Sequence, residues 1–307
     1  MRKFYTLIAL TMLLISTNDA IAQQDAMYTQ YMFNTLAVNP AYAGSRNVVS
    51  ATAMLRSQWT GMNGAPKTQT FTIDAPINAK KLGVGLQLFS DKLGKTSNTG
   101  AVASVAYRIR MDRASLSFGL QGNVNQFKTD YNSVELDPSG LSNDPAFLSN
   151  DNKMLMNAGV GVYYNTDKFY AGISSPELLN NILPGSGTGS NTSRFHVFLM
   201  SGYVFPLTAN FKLKPSVLVK GVQGAPLEAD LNTTLWIKDV IAIGAQYRTN
   251  ADISGLLEIQ LSPQIRFGYA YDHSTTSLGN YNSGSHEVML RYEFGFQRAK
   301  VLAPRYF

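Results

Sequence analysis

Between residues 48 and 296 the chain is built from short segments in which apolar and polar residues alternate one for one. Leu116-Ser117-Phe118-Gly119-Leu120-Gln121-Gly122-Asn123-Val124-Asn125 sets the rhythm, with even positions apolar or glycine and odd positions polar or glycine. The last segment repeats it, with Val288, Leu290, Tyr292, Phe294 and Phe296 on one side and Arg291, Glu293 and Gly295 on the other. Side chains on a strand point alternately to opposite faces, so each segment has one oily face and one wet face. The period is that of strands and not of helices.

Punctuation by Gly, Pro, Asn and Asp divides this region into strands near 48–59, 67–77, 82–91, 97–110, 114–127, 154–165, 168–175, 194–205, 211–222, 227–238, 240–250, 253–261, 264–273 and 285–296. Composition says what the oily faces meet. Charged residues make up 15% of the 307-residue chain, against roughly 25% in average soluble domains. Mean hydropathy is nevertheless −0.08, and no apolar run after residue 22 reaches the roughly 20 residues a spanning helix needs. A sheet with lipid on one side and water on the other reconciles these values. The sequence therefore predicts an all-β fold, a transmembrane antiparallel β-barrel of about 14 strands, an even number as in bacterial barrels.

Connection lengths agree with that reading. Short turns fall at Met111-Asp112-Arg113, Thr166-Asp167, Leu207 to Asn210, Asp239 and Ser262-Pro263, and longer connections at 129–153, 176–193 and 274–284. Barrels of this type keep short turns in the periplasm and long loops at the cell surface, and the parity then places both termini in the periplasm.

The first 22 residues carry Arg2 and Lys3, the apolar run Leu7 to Ile15, and Ala20-Ile21-Ala22, the pattern of a secretory signal peptide cleaved near Ala22. With no cysteine there is no disulfide framework, thiolate metal site or lipid-bearing cysteine. The expected division is a signal peptide at 1–22, a plug-like or periplasmic segment at 23–47, the barrel at 48–296 and a periplasmic tail at 297–307.

With oily faces outward, the lumen receives Arg56, Gln58, Arg108, Arg110, Gln121, Gln246, Arg248, Glu258, Arg266, Arg291 and Glu293. That lining reads either as a selectivity or plug-binding surface, or as an ordinary lumen whose Arg and Glu neutralise one another. Residues 23–47 break the alternation, and Pro40 bars a regular ladder there. Tyr28, Tyr31, Phe33, Asn34, Asn39, Pro40 and Tyr42 mark this stretch as too apolar for a free tail. It packs in the barrel or at its periplasmic mouth, or it anchors a partner, since aromatic and Met side chains serve as interface anchors.

Signals for chemistry are sparse. His196, His273 and His286 form no ligand pair, and no nucleophile elbow occurs. Gly83-Val84-Gly85 and Gly159-Val160-Gly161 open no helix and read as strand glycines that relieve crowding or permit curvature. The acidic stretch Asp130 to Asp151 reads as a solvated loop. A net charge of +6 is scattered singly, which argues against nucleic acid. The reading is a non-enzyme without cofactor or metal.

Several motifs in order resemble one family. They are Gln30-Tyr31-Met32-Phe33-Asn34, Asn39-Pro40-Ala41-Tyr42-Ala43-Gly44-Ser45, Arg56-Ser57-Gln58-Trp59-Thr60-Gly61, Gly64-Ala65-Pro66-Lys67-Thr68-Gln69 and the closing Pro304-Arg305-Tyr306-Phe307. The chain resembles the PorP/SprF family of Bacteroidota outer-membrane proteins, departing at Thr35, where the family often has proline. The resemblance implies an outer-membrane barrel of the type IX secretion and gliding system. It implies assistance in export or surface anchoring of cargo adhesins with type B C-terminal domains, and contact with the secretion and motility machinery. A porin or small-ligand transporter is the competing expectation, which the arginine-bearing lumen would suit for anionic solutes.

Overall fold

The structure is a computed structural model that describes residues 28–77, 81–130, 150–179, 195–222 and 225–294. The loop core 131–149, most of 176–193 and the tail 297–307 lie outside the described residues, as does the signal segment. Fifteen strands follow in chain order: β1 (Val49–Ser57), β2 (Lys67–Ile77), β3 (Leu82–Leu93), β4 (Thr96–Arg110), β5 (Ala114–Thr129), β6 (Asp151–Thr166), β7 (Phe169–Ser175), β8 (His196–Tyr203), β9 (Phe205–Pro206), β10 (Phe211–Val222), β11 (Glu228–Ile237), β12 (Ile241–Arg248), β13 (Asp252–Gln260), β14 (Ile265–Ser274) and β15 (Ser285–Phe294). Each pairs antiparallel with its neighbour, and β1 pairs with β15 from Val49↔Phe294 to Ser57↔His286, closing the ring. The two-residue β9 continues β8 along β10, so the closed barrel has 14 staves.

Closure follows from what lipid demands. No water is available in hydrocarbon to satisfy an unpaired backbone group, and only a sheet without edges leaves none. The alternation sets the register: along β12, Ile241, Ile243 and Tyr247 are exposed while Ala242, Gln246 and Arg248 are buried. A slip by one residue would turn Gln246 and Arg248 outward and bring Ile241, Ile243 and Tyr247 inside.

One stave departs from the expected unbroken 194–205. The β8–β10 ladder runs to Gly202↔Ser216 and resumes only at Phe205↔Leu213. Pro215 lies in the gap, where its missing N–H leaves no ladder bond to lose on that side. Opposite it the buried Val204 turns its N–H to Lys168 O at 2.7 Å.

The wall is uneven in height. β4, β5 and β6 have 15, 16 and 16 residues, against the roughly 9–11 that span a bilayer, while β7 and β8 have 7 and 8. β6 pairs with β7 only from Val160 to Asn165. Above that, the Asn157 side chain stands in for a strand: its Oδ1 accepts from the Leu178 and Leu179 N–H groups at 3.0 and 2.8 Å, and its Nδ2 donates to Leu179 O. The turns at 111–113, 167–168, 207–210, 238–240 and 261–264 share one end of the barrel with the start of β1 and the end of β15; the connections 58–66, 130–150, 176–195 and 275–284 share the other. We call these the turn end and the loop end.

The outward belt makes a direct prediction. Ile243→Arg should lower the unfolding free energy in lipid vesicles by about 2–4 kcal/mol, whereas Tyr281→Arg, on the loop between β14 and β15, should stay within about 0.5 kcal/mol. Equal effects in urea titrations of the two variants would contradict the placement of Ile243 against lipid.

Candidate functional site

Residues 28–48 occupy the interior of the ring. They hold three short 3-10 turns, Tyr31–Phe33, Thr35–Ala37 and Pro40–Tyr42, and touch strands around most of the circumference. The path runs from one end of the barrel to the other. Near the loop end the Tyr28 hydroxyl meets Thr70 of β2 at 2.6 Å. Midway, Asn34 Nδ2 donates to the Met54 sulfur, and Thr72 Oγ1 donates to Asn34 Oδ1 at 3.1 Å. Lower down, Asn39 Nδ2 donates to Val162 O at 3.0 Å, and Ser174 Oγ to Val38 O at 2.8 Å. At the turn end Arg46 pairs with Glu293 at 2.6 Å, and Arg110 reaches Asn47.

Two charged clamps hold this plug. In the upper one, Glu287 accepts the backbone N–H groups of Thr29 and Gln30 at 3.0 and 2.9 Å. Thr29 Oγ1 donates to Asp272 at 2.8 Å, and Arg56 bridges Asp272 and Glu287 at 2.8 and 2.9 Å. In the lower one, Arg108 donates to Gly44 O and Ala43 O at 2.9 and 3.1 Å, and Asp74 accepts the Gly44 N–H at 2.8 Å.

Between the clamps the plug lies directly on the wall. Asn39 folds its own turn, Oδ1 accepting the Ala41 N–H at 2.9 Å, and Pro40 supplies the first position of that turn. A Cβ on inward-facing Gly83, Gly119 or Gly161 would collide with Ala43 O, Ala41 N or Asn39 Oδ1 respectively. Both glycine pairs singled out in the sequence thus include a residue that relieves crowding against this segment. Gly44 adopts φ +69°, and a Cβ there would stand 2.9 Å from Ala75 O.

The interior differs from the polar lumen that the face assignment predicts. Tyr31, Met32, Phe33, Leu36 and Tyr42 form one apolar cluster with Met54, Tyr163, Tyr170, Met200, Leu218, Trp236 and Met289 of the wall. Tyr42 packs edge-on against Tyr163, ring centroids 5.4 Å apart. The reason is the plug itself: its oily side chains must meet oily partners, so the inner face is apolar at mid-height and charged above and below.

Of the expected lining residues, Arg56, Arg108, Gln246, Arg248, Glu258, Arg266 and Arg291 are buried inside, and Gln121 and Glu293 are half-buried. Gln58 lies beyond the end of β1, and Arg110 is exposed at the turn-end rim. Arg248 meets Asp230 at 2.8 Å and Arg266 meets Glu258 at 2.6 Å, with the Arg266 guanidinium 5.2 Å from the Trp236 ring centre. Asp272 and Glu287, which hold the upper clamp, escaped the sequence reading; both lie on the polar parity of their strands and could have been found by extending it. No group of three or more acidic or histidine side chains suited to a metal occurs among the described residues.

Removing one member of a buried charged cluster leaves the others uncompensated, at about 3–5 kcal/mol. Glu287→Ala should therefore lower the urea midpoint and speed proteolysis within residues 28–47. Unchanged midpoint and cleavage would show that the clamp does not hold the plug.

Residues 20–292 match the family profile described as type IX secretion system membrane protein PorP/SprF. No curated protein matches the chain. Among solved structures, the toluene transporter TbuX of Ralstonia pickettii aligns with TM-score 0.53 at 9% identity, over 84% of this chain and 92% of that one. The CymD monoaromatic hydrocarbon channel aligns at 0.49 and 12%, over 91% and 96%, and Omp33 of Acinetobacter baumannii at 0.47 and 9%, over 80% and 99%. At such identities these likenesses concern the outer-membrane barrel architecture alone. The profile covers nearly the whole described barrel and its plug, and the chain belongs to the PorP/SprF family of type IX secretion system outer-membrane proteins.

Proposed function

We propose that this barrel is a closed docking scaffold that assists export or surface anchoring of secreted cargo, adhesins with type B C-terminal domains, in the type IX secretion and gliding system. The observation that carries the reading is the filled lumen. Plug residues from Thr29 to Arg46 bond to wall strands at both ends of the barrel, and an apolar cluster closes the middle. A lumen packed in this way suits a scaffold better than a solute channel. Loops on a rigid frame are where binding usually resides. The tall β4–β6 wall and the longer connections 129–153, 176–193 and 274–284 belong to the loop end, which we assign to the cell exterior. The turn end then faces the periplasm and the secretion machinery, and the signal peptide leaves near Ala22 during export.

The test is purification of the tagged protein from its native host in mild detergent, with mass spectrometry of what accompanies it. Recovery of a large secreted protein, lost when loops 129–153 and 176–193 are shortened, is the expected result. Planar-bilayer recordings on the same sample should show no steady open-pore current. A steady current together with recovery of the barrel alone would favour solute transport and overturn docking.

A further inference from the structure

From β2 to β6 the outward face of the wall ends, at the loop end, in a rung that carries three lysines. Lys67 of β2 stands directly opposite Lys92 of β3, Lys92 opposite Ser97 of β4, Ser97 opposite Lys128 of β5, and Lys128 opposite Asn152 of β6. Lys67, Lys92 and Lys128 are exposed, while their neighbours Thr68 and Thr129 are buried, so the lysines keep the lipid-facing parity of their strands. Asp91, beside Lys92, turns inward and accepts from Thr68 Oγ1 at 2.5 Å. The next outward rung is neutral and polar, with the Ser90 and Thr99 hydroxyls 3.1 Å apart and Gln126 donating to Asn152 Oδ1 at 2.9 Å. Below it the oily belt begins at Phe71, Leu88, Ala101 and Val124. Each lysine is thus four residues above that edge on its own strand. Four residues span about 13 Å of strand, or about 10 Å of height at a tilt of about 40°. Headgroups extend about 5–7 Å beyond the hydrocarbon on each side, so ammonium groups on flexible stems reach them.

Two features set this rung apart from scattered surface charge. Like charges directly opposite each other on neighbouring strands destabilise a sheet, yet Lys67 and Lys92 are so placed. The rung is also one-sided: across the barrel the outward positions near the loop end of β11 to β14 hold Leu231, Tyr247, Ile253 and Tyr271. We propose that the lysine rung binds the phosphate groups of anionic lipid headgroups in the leaflet around the loop end, which in the orientation assigned above is the outer leaflet. Lys92 and Lys128 flank the Ser97 hydroxyl from strands about 5 Å away on either side, a spacing in which one phosphate accepts from all three groups. An anion seated there turns the repulsion between Lys67 and Lys92 into a bridge. The lysines point sideways over the oily belt and not across the mouth, so the anion they meet is one carried by the membrane. Phosphates gripped on this side brace the wall where it stands tallest. The contact lies on the outer surface and needs neither a sealed lumen nor docked cargo; the assigned orientation only names the leaflet.

The test titrates the purified full-length barrel, in uncharged detergent, with bisphosphorylated lipid A, with the same glycolipid stripped of phosphate, and with inorganic phosphate. Native mass spectrometry counts the bound molecules. The expected result is at least tenfold tighter binding of the phosphorylated form than of the stripped form. The triple variant K67Q/K92Q/K128Q should bring the two to within twofold of each other. K81Q/K168Q/K238Q, which removes the same charge from exposed turn-end lysines, should stay within twofold of the unsubstituted protein. Lys92→Gln alone adds a readout of sign: without lipid its thermal midpoint should equal or exceed that of the unsubstituted protein, and phosphorylated lipid should raise its midpoint less. Equal binding of the two glycolipids, or equal loss in the turn-end variant, would overturn the assignment. Inorganic phosphate that saturates the rung and excludes the glycolipid would also overturn it, in favour of a soluble anion. An acidic protein held through the same lysines in the absence of lipid would do so in favour of a protein partner. If the orientation given under the proposed function fails, phosphorylated lipid should still bind through this rung, and only the leaflet changes.

Discussion

Everything in this molecule depends on the exclusion of water from the membrane interior. A backbone group left unpaired there costs several kcal/mol, so the sheet has no choice but to meet itself, and β1 finds β15 across the whole length of the chain. Once the ring is closed, each residue has only two places to go. Isoleucine, leucine, phenylalanine and methionine at alternate positions take the lipid side, and what remains is enclosed with little water to share. The inner face is then short of hydrogen-bond partners, and the chain supplies them from its own amino-terminal segment.

That segment is both ligand and stopper. Its backbone donors and acceptors meet Glu287, Asp74 and Arg108, and its aromatic rings meet an apolar band on the wall. Buried ion pairs are weak evidence for stability, because the cost of desolvation is close to what the pairing returns. Here their value is in fixing a position. Arg56 bridges two carboxylates that also hold Thr29, so the plug has one seat at the top, and wall glycines allow one depth of approach below it.

The wall was largely legible in the sequence because alternation is a local signal. The bounds 67–77 and 211–222 read from turn residues are those of β2 and β10. The break after Tyr203 left no trace, since His196, Phe198, Met200, Gly202 and Val204 keep one parity straight through it, and Pro215 on the neighbouring strand is the only hint. The charged lining was legible wherever apolar residues flanked it. Met54, Trp236 and Met289 were not, because an apolar residue on the inward parity has meaning only once something oily is known to fill the lumen. The path of the plug was beyond reach for a related reason: it obeys no period, and its partners lie as far away in sequence as Asp272 and Glu287.

The upper clamp also sets a timetable. Thr29 can be held only when β1, β14 and β15 are side by side, and β15 is the last of the described strands. The contact joins residues 258 positions apart, which is about as non-local as this chain allows and belongs to the slow end of folding. Sealing of the lumen and completion of the wall are therefore a single late event. A barrel truncated or stalled before the β14–β15 hairpin would lack both its seam and two of the three strands that form the upper clamp on its stopper, and would be recognisable as unfinished by an open interior.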